Sequence, residues 1–187
     1  MQRALSVLFV SSLLIPASFA GQQQNHSDAF IDGSKSEARL AKEVRHQLVM
    51  LPYYSIFDDL GFRVNGSTVT LVGKVVRPTL KSDAEGVVKR VEGVTSVDNQ
   101  IKVLPLSPMD DQIRRAMFRA IYGDPTIGPR YGMQALPPIH IIVENGNVTL
   151  EGVVSNEMDK NLINVRASSV PNVFKVNNEL QVESKSS

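Results

Sequence analysis

One pentapeptide pattern occurs twice in this chain, as Val69-Thr70-Leu71-Val72-Gly73 and as Val148-Thr149-Leu150-Glu151-Gly152. Each copy stands just behind an Asn-Gly pair, Asn65-Gly66 or Asn145-Gly146, the strongest short-range sign of a hairpin turn. The 79-residue offset holds without a gap from Val64/Val143 to Val103/Val182. Along it the matched positions are apolar or turn residues, and the charges mostly do not match. A repeated fold leaves that trace, whereas a repeated active site would have kept its charges.

In the first repeat, Leu40, Val44, Leu48 and Leu51 recur at helical spacing from Glu37 onward, and Pro52 ends that helix. Residues 53–60 form a compact connection rich in apolar side chains. Residues 62–64 and 69–75 then alternate as a hairpin. Ser82-Asp83-Ala84-Glu85 fits a capping box for a second helix carrying Ala84, Val87, Val88 and Val91 on one face. Gly93 is placed to end it in the left-handed conformation. Val97, Asn99, Ile101 and Val103 alternate as a third strand.

After a short Pro-containing linker, residues 104–108, the order repeats. Asp110 and Asp111 put negative charge where a helix dipole favours it, and Ile113, Met117, Phe118 and Ile121 form the apolar stripe. Asn156 is placed to cap the next helix, with Ile163, Ala167 and Val170 on its apolar face. Asn172 replaces the helix-ending glycine, as the second choice for a left-handed residue. Val176, Asn178, Leu180 and Val182 close the copy. The second repeat has six more residues between first helix and hairpin, within residues 123–138. Three glycines and four prolines there predict an irregular loop. Its apolar Ile127, Tyr131, Met133 and Leu136 either fold back on the domain or form a contact surface.

The two repeats span residues 37–105 and 109–183. Each reads α-β-β-α-β, which predicts an α+β protein of two small domains, each a three-stranded sheet with two helices on one face. Gly73 and Gly152 read as packing glycines, where a Cβ would strike the packed helix or a bulge. Asn99 and Asn178 read as side chains bonding nearby backbone at the domain edge.

Residues 1–20 differ in kind. Arg3 precedes an apolar run from Ala4 to Ile15, and Ser18-Phe19-Ala20 supplies small residues for cleavage after Ala20. That is a secretory signal peptide, and the polar stretch 21–36 reads as a flexible leader. Without Arg3 the chain has nineteen basic and nineteen acidic residues, which gives no broad electrostatic grip on nucleic acid. It has no cysteine, so thiol chemistry, Cys-based metal sites and a lipoprotein anchor at the cleavage site are excluded. The three histidines, His26, His46 and His140, have no metal-ligand spacing. The pairs Asp58-Asp59 and Asp110-Asp111 read as loop solvation and helix-start charge. No nucleophile motif or phosphate-cradling loop is present, so the chain is expected to be no enzyme, with no cofactor and no metal.

The Asn-Gly turn, the Val-Thr-Leu-x-Gly strand, the amphipathic helix, and the closing Val-x-Asn-x-Ile/Leu-x-Val strand together resemble the BON domain, in tandem as in OsmY-like periplasmic proteins. Gly73, Gly93-Val94, Val97, Asn99 and Ile101 carry the resemblance in the first copy. Gly152, Val173, Val176, Asn178 and Leu180 carry it in the second. The resemblance implies a non-enzymatic periplasmic protein of osmotic or envelope stress that contacts phospholipid or another envelope component. A periplasmic structural or chaperone-like protein without a fixed ligand is the alternative. Arg114, Arg115 and Arg119, with Ile127, Tyr131 and Met133, are the expected contact surface for anionic lipid or an envelope protein. Cationic plus exposed apolar side chains is what holds a surface on anionic lipid.

Overall fold

The structure is a computed structural model that describes residues 25–183, with side chains from Ser36 onward. The expected signal peptide, residues 1–20, lies outside the described residues. In chain order the elements are α1 (Asn25–Val49), β1 (Asp59–Asn65), β2 (Thr68–Val75), α2 (Pro78–Val88), β3 (Ser96–Asn99) and β4 (Lys102–Val103). The second repeat follows as α3 (Pro108–Tyr122), α4 (Ile127–Tyr131), β5 (Ile139–Glu144), β6 (Asn147–Val154), α5 (Glu157–Ser168), β7 (Lys175–Asn178) and β8 (Gln181–Val182).

Both sheets share one plan. The central strand (β2, β6) runs antiparallel to the strand before it and parallel to the two short strands after it. Leu71 pairs with Asn99 and Lys74 with Lys102, so β3 and β4 continue one line that is interrupted at Gln100-Ile101. The single third strand of the sequence reading is therefore two segments. The interruption lies opposite Gly73, whose φ is +115°, and Gly152 has φ +119° at the matching place. A Cβ on Gly73 would strike the Asp59 carbonyl, and one on Gly152 the Pro138 carbonyl. These glycines are demanded by the backbone of the neighbouring strand and not by a packed helix.

Alternation along the central strands sends one face to the helices. Val69, Leu71 and Val75 pack with Leu40, Val44, Leu48, Leu80, Ala84 and Val88. Val148, Leu150 and Val154 pack with Ile113, Met117, Ile121, Ile163 and Ala167. Each such Val or Leu buried from water contributes roughly 1.5–3 kcal/mol, which is what holds domains without disulfides.

Several local expectations are corrected. Helix α1 begins at Asn25, so residues 25–36 continue the helix where a flexible leader was expected. Helix α2 begins at Pro78, four residues ahead of the expected capping box, because proline at N1 already lacks the N–H that a cap would satisfy. Ser82 Oγ instead donates to the Thr79 carbonyl, and Glu85 accepts from Lys89 and Asn99. The helix stops at Val88. Gly93, with φ +95°, is the third residue of a turn closed by Val94 N–H donating to the Val91 carbonyl at 3.1 Å. Asn172, with φ +65°, takes that left-handed place in the second repeat, as expected. The hairpin turns differ: Asn65 pairs with Thr68, which leaves Gly66-Ser67 as the turn, whereas Glu144 pairs with Asn147 and leaves Asn145-Gly146. Only Gly66 has positive φ in the first turn, and both Asn145 and Gly146 do in the second.

A carboxylate at the matching place of each first helix ties that turn down. Glu37 Oε1 accepts from Gly66 N–H at 2.7 Å, and Asp110 accepts from the Asn145 and Gly146 amides at 2.9 Å each. Asp110 is buried, so it does more than place charge at a helix start. Asp58 is likewise no solvated loop residue: it is buried and accepts from Val76 N–H, Ser55 N–H and Ser55 Oγ. Asn99 and Asn178 behave as expected, donating to the Lys81 and Lys160 carbonyls.

The repeats are joined through the 53–60 connection. Ile56 is buried in the second repeat's core, and its carbonyl accepts from Ile141 N–H on β5 at 2.7 Å. His140 Nδ1 lies 2.6 Å from the Asp58 carbonyl, which can only accept, so Nδ1 carries the proton; the ring stacks on Tyr54. On the same side, Lys74 and Lys102 both reach Glu144, at 3.0 and 2.5 Å. The helix-free faces of the two sheets thus meet, and Ile142 on that face is buried.

Candidate functional site

The expected contact surface centres on α3, and its geometry begins with a well-made helix start. Ser107 caps it by accepting from Asp110 N–H, Pro108 occupies the first turn, and Asp110 and Asp111 are acidic where the dipole favours it. Ile113, Met117 and Ile121 at four-residue spacing face the core. Phe118, one residue off that stripe, does not join them: it is 45% exposed and tilts against Tyr122. Arg115 and Arg119 flank Phe118 on the outer face, both exposed. Neither side chain has a hydrogen bond or ion pair among the described residues.

Arg114, Ile127 and Tyr131 do not belong to this surface. Arg114 is 4% exposed, donates to Asp111 at 2.6 Å and to the Val143 carbonyl at 2.8 Å, and so fastens α3 to β5. Its Nε has no partner, the one such buried side-chain atom among the described residues. Ile127 and Tyr131 are buried because part of the 123–138 segment is helical (α4) and folds onto the core. The expectation of a wholly irregular loop is corrected by two carboxylates. Asp124 accepts from the Thr126 and Ile127 amides and from Arg166 Nε. The amides, led by Thr126, and the Arg166 guanidinium hold it below its ordinary range despite burial. Asp159 accepts from Tyr131 OH at 2.6 Å, from Arg130 at 2.7 Å and from Asn156. Burial alone would raise Asp159, but these donors outweigh it and leave the carboxyl low. Sequence periodicity could not report this network, since the bonds of Asp159 to Arg130 and Tyr131 and of Asp124 to Arg166 span 28 to 42 residues.

Met133, by contrast, is 85% exposed. The surface that remains is Arg115, Phe118, Arg119 and Met133. Beside it runs an apolar groove of about 420 Å³, walled by Tyr54, Ile56 and Phe57 from the first repeat and by Phe118 and residues 135–137 from the second. Arg115 and Arg119 stand on its rim. Tyr54 is held protonated, its pKa pushed up to about 12 chiefly by burial and then by Asp59 and Asp58. Phe118 and the 53–57 segment were legible as apolar, but their meeting is a product of the docked repeats.

The first repeat offers a different surface. A cavity of about 740 Å³ between its helices α1 and α2 is lined by Arg39 and Arg90 but also by Glu43 and Glu92. Among the described residues no cluster of three His, Asp or Glu side chains is placed to hold a metal ion. Nor is any described helix long and apolar enough to cross a membrane.

No curated protein matches the chain. Solved structures similar to it include two of CdsD, a structural protein of the type III secretion system of Chlamydia trachomatis. For the CdsD C-terminal domain the identity is 14% over 78% of this chain and 98% of that one, with a TM-score of 0.31. For the other CdsD structure it is 13% over 79% and 94%, with a TM-score of 0.28. Likenesses this slight say nothing about partners. The BON domain itself matches twice, over residues 36–105 and 110–184. With two copies of the α+β plan just described, covering most of its length, this chain belongs to the BON domain family.

Proposed function

We propose that this protein is a non-enzymatic module of the bacterial envelope that docks on anionic phospholipid surfaces through its second BON domain. The observation that carries the reading is the outer face of α3, where unpaired Arg115 and Arg119 flank exposed Phe118, with exposed Met133 close in the chain to the groove they rim. Each arginine near an anionic surface contributes on the order of 1 kcal/mol, and the two apolar side chains supplement that by entering the headgroup layer. The first repeat carries Lys42 and Arg45 with Glu43 between them on α1, and Arg45 is turned onto the Phe62 ring. Its cavity is of mixed charge. The N-terminal signal-peptide pattern supports export, with the periplasm as the place of action.

Vesicle co-sedimentation tests this. Binding to phosphatidylglycerol-containing vesicles, weakening as salt is raised and absent for phosphatidylcholine vesicles, is the expected result. Binding to unfolded client proteins without any binding to vesicles would replace this reading with a chaperone-like one.

A further inference from the structure

The groove beside α3 has a composition that surface adsorption does not use. Its walls are Tyr54, Ile56, Phe57, Phe118, Leu136 and Pro137, drawn from both repeats, and it exists only because the 53–57 connection is seated on the second repeat. Its volume, about 420 Å³, falls in the range of small-molecule sites, roughly 300–1,000 Å³. The only cations at its rim are Arg115 and Arg119, on the same helix four residues apart, hence one above the other on one face.

We propose that this groove takes one acyl chain of an anionic phospholipid, whose phosphate is held by Arg115 and Arg119. This rests on the lipid reading above and deepens it, from adsorption on a surface to capture of a single lipid. Two features favour an acyl chain over a peptide. A peptide in a groove must have its own amides and carbonyls satisfied, and this lining offers almost none: Ser55 is its only uncharged aliphatic hydroxyl, and the Ile56 carbonyl is already taken by Ile141 N–H. An alkyl chain needs no such partners. Its head needs charge, and guanidinium forks match phosphate oxygens.

The two domains make the groove jointly, so lipid capture also fastens the junction. A ligand that binds only the docked arrangement stabilises it by mass action.

The test uses lysophosphatidylglycerol below its micelle concentration, titrated into the full mature chain by calorimetry, beside vesicle co-sedimentation. Wild type is expected to bind the monomeric lipid at one site. Ala135→Trp, an exposed position at the groove that tolerates size, is expected to weaken that binding by about ten-fold or more through lost apolar burial. It should leave the melting curve unchanged and vesicle adsorption within about two-fold, since Arg115, Arg119 and Met133 remain. Vesicle binding by wild type with no uptake of monomeric lipid would overturn the groove assignment alone. Loss of both would overturn the lipid reading with it. Ala135→Trp binding the monomer as well as wild type, or displacement of the lipid by an apolar peptide at equal concentration, would also overturn the assignment.

Discussion

The Ile141 amide donates to the Ile56 carbonyl at 2.7 Å, and the Ile56 side chain is buried in the core of the domain to which Ile141 belongs. A residue of the first repeat thereby completes the sheet edge and the core of the second. A strand edge such as β5 exposes unpaired backbone groups, and the connection covers part of it. The consequence is that the two BON domains are not independent in stability.

Ile56→Ala should therefore destabilise the second domain by about 2–4 kcal/mol, the usual cost of removing a buried isoleucine side chain. Native-state hydrogen exchange separates the domains residue by residue. Protection at Ile142 and Leu150 amides should fall while that at Val69 and Leu71 stays. The reverse pattern would mean that Ile56 belongs to its own repeat.

Gly73→Val and Gly152→Val should each cost more than about 2 kcal/mol, because left-handed φ strain adds to overpacking against a carbonyl that cannot move without its strand. Denaturant melts would read this. Gly66→Ala, in open space but at φ +59°, should cost less.

The repeat, its α-β-β-α-β order and the left-handed Asn172 were legible in the sequence, because each is written in local spacing or in a residue with unusual backbone tolerance. The contact surface was only half legible. Helical spacing put Arg115 and Arg119 on one face, but the same spacing could not tell that Arg114 turns inward to the Val143 carbonyl. Tyr131 and Ile127 read as loop side chains, but Asp159, 28 residues from Tyr131, and Asp124, which is itself tied to the distant Arg166, hold that segment on the core. The groove was illegible, since half of its wall comes from the other repeat.

The junction also predicts a pH response. Asp59 and Glu151 are raised above their ordinary values, 3.8 and 4.5, chiefly by burial; their mutual repulsion adds for Glu151, Glu179 adds for both, and Lys74 offsets, with His140 helping at Asp59. A raised carboxyl penalises the folded state above its folded pKa, and the penalty is relieved as pH falls through that value. Glu144 is lowered by Lys102 and Lys74, so its contribution is present above 4.5 and lost as pH falls through its lower folded value. Acidification from about pH 7 to about 4.5, the ordinary glutamate value, should thus relieve part of the penalty at Asp59 and Glu151 before the Glu144 contribution is lost below it. Asp59→Asn should remove part of the gain in urea melts at the two pH values. A wild-type protein that loses stability steadily over that interval would contradict this balance.

Charge reversal on the two domains bears most directly on how the protein meets a membrane. Arg115→Glu/Arg119→Glu should abolish co-sedimentation with phosphatidylglycerol vesicles and leave the thermal melt unchanged, since neither arginine has a partner within the described residues. Lys42→Glu/Arg45→Glu should leave sedimentation nearly intact, because these side chains lie on α1 of the other repeat with Glu43 between them, and Arg45 is turned onto the Phe62 ring. If the Lys42/Arg45 reversal abolishes vesicle binding and the Arg115/Arg119 reversal does not, the second domain is not the lipid-facing one.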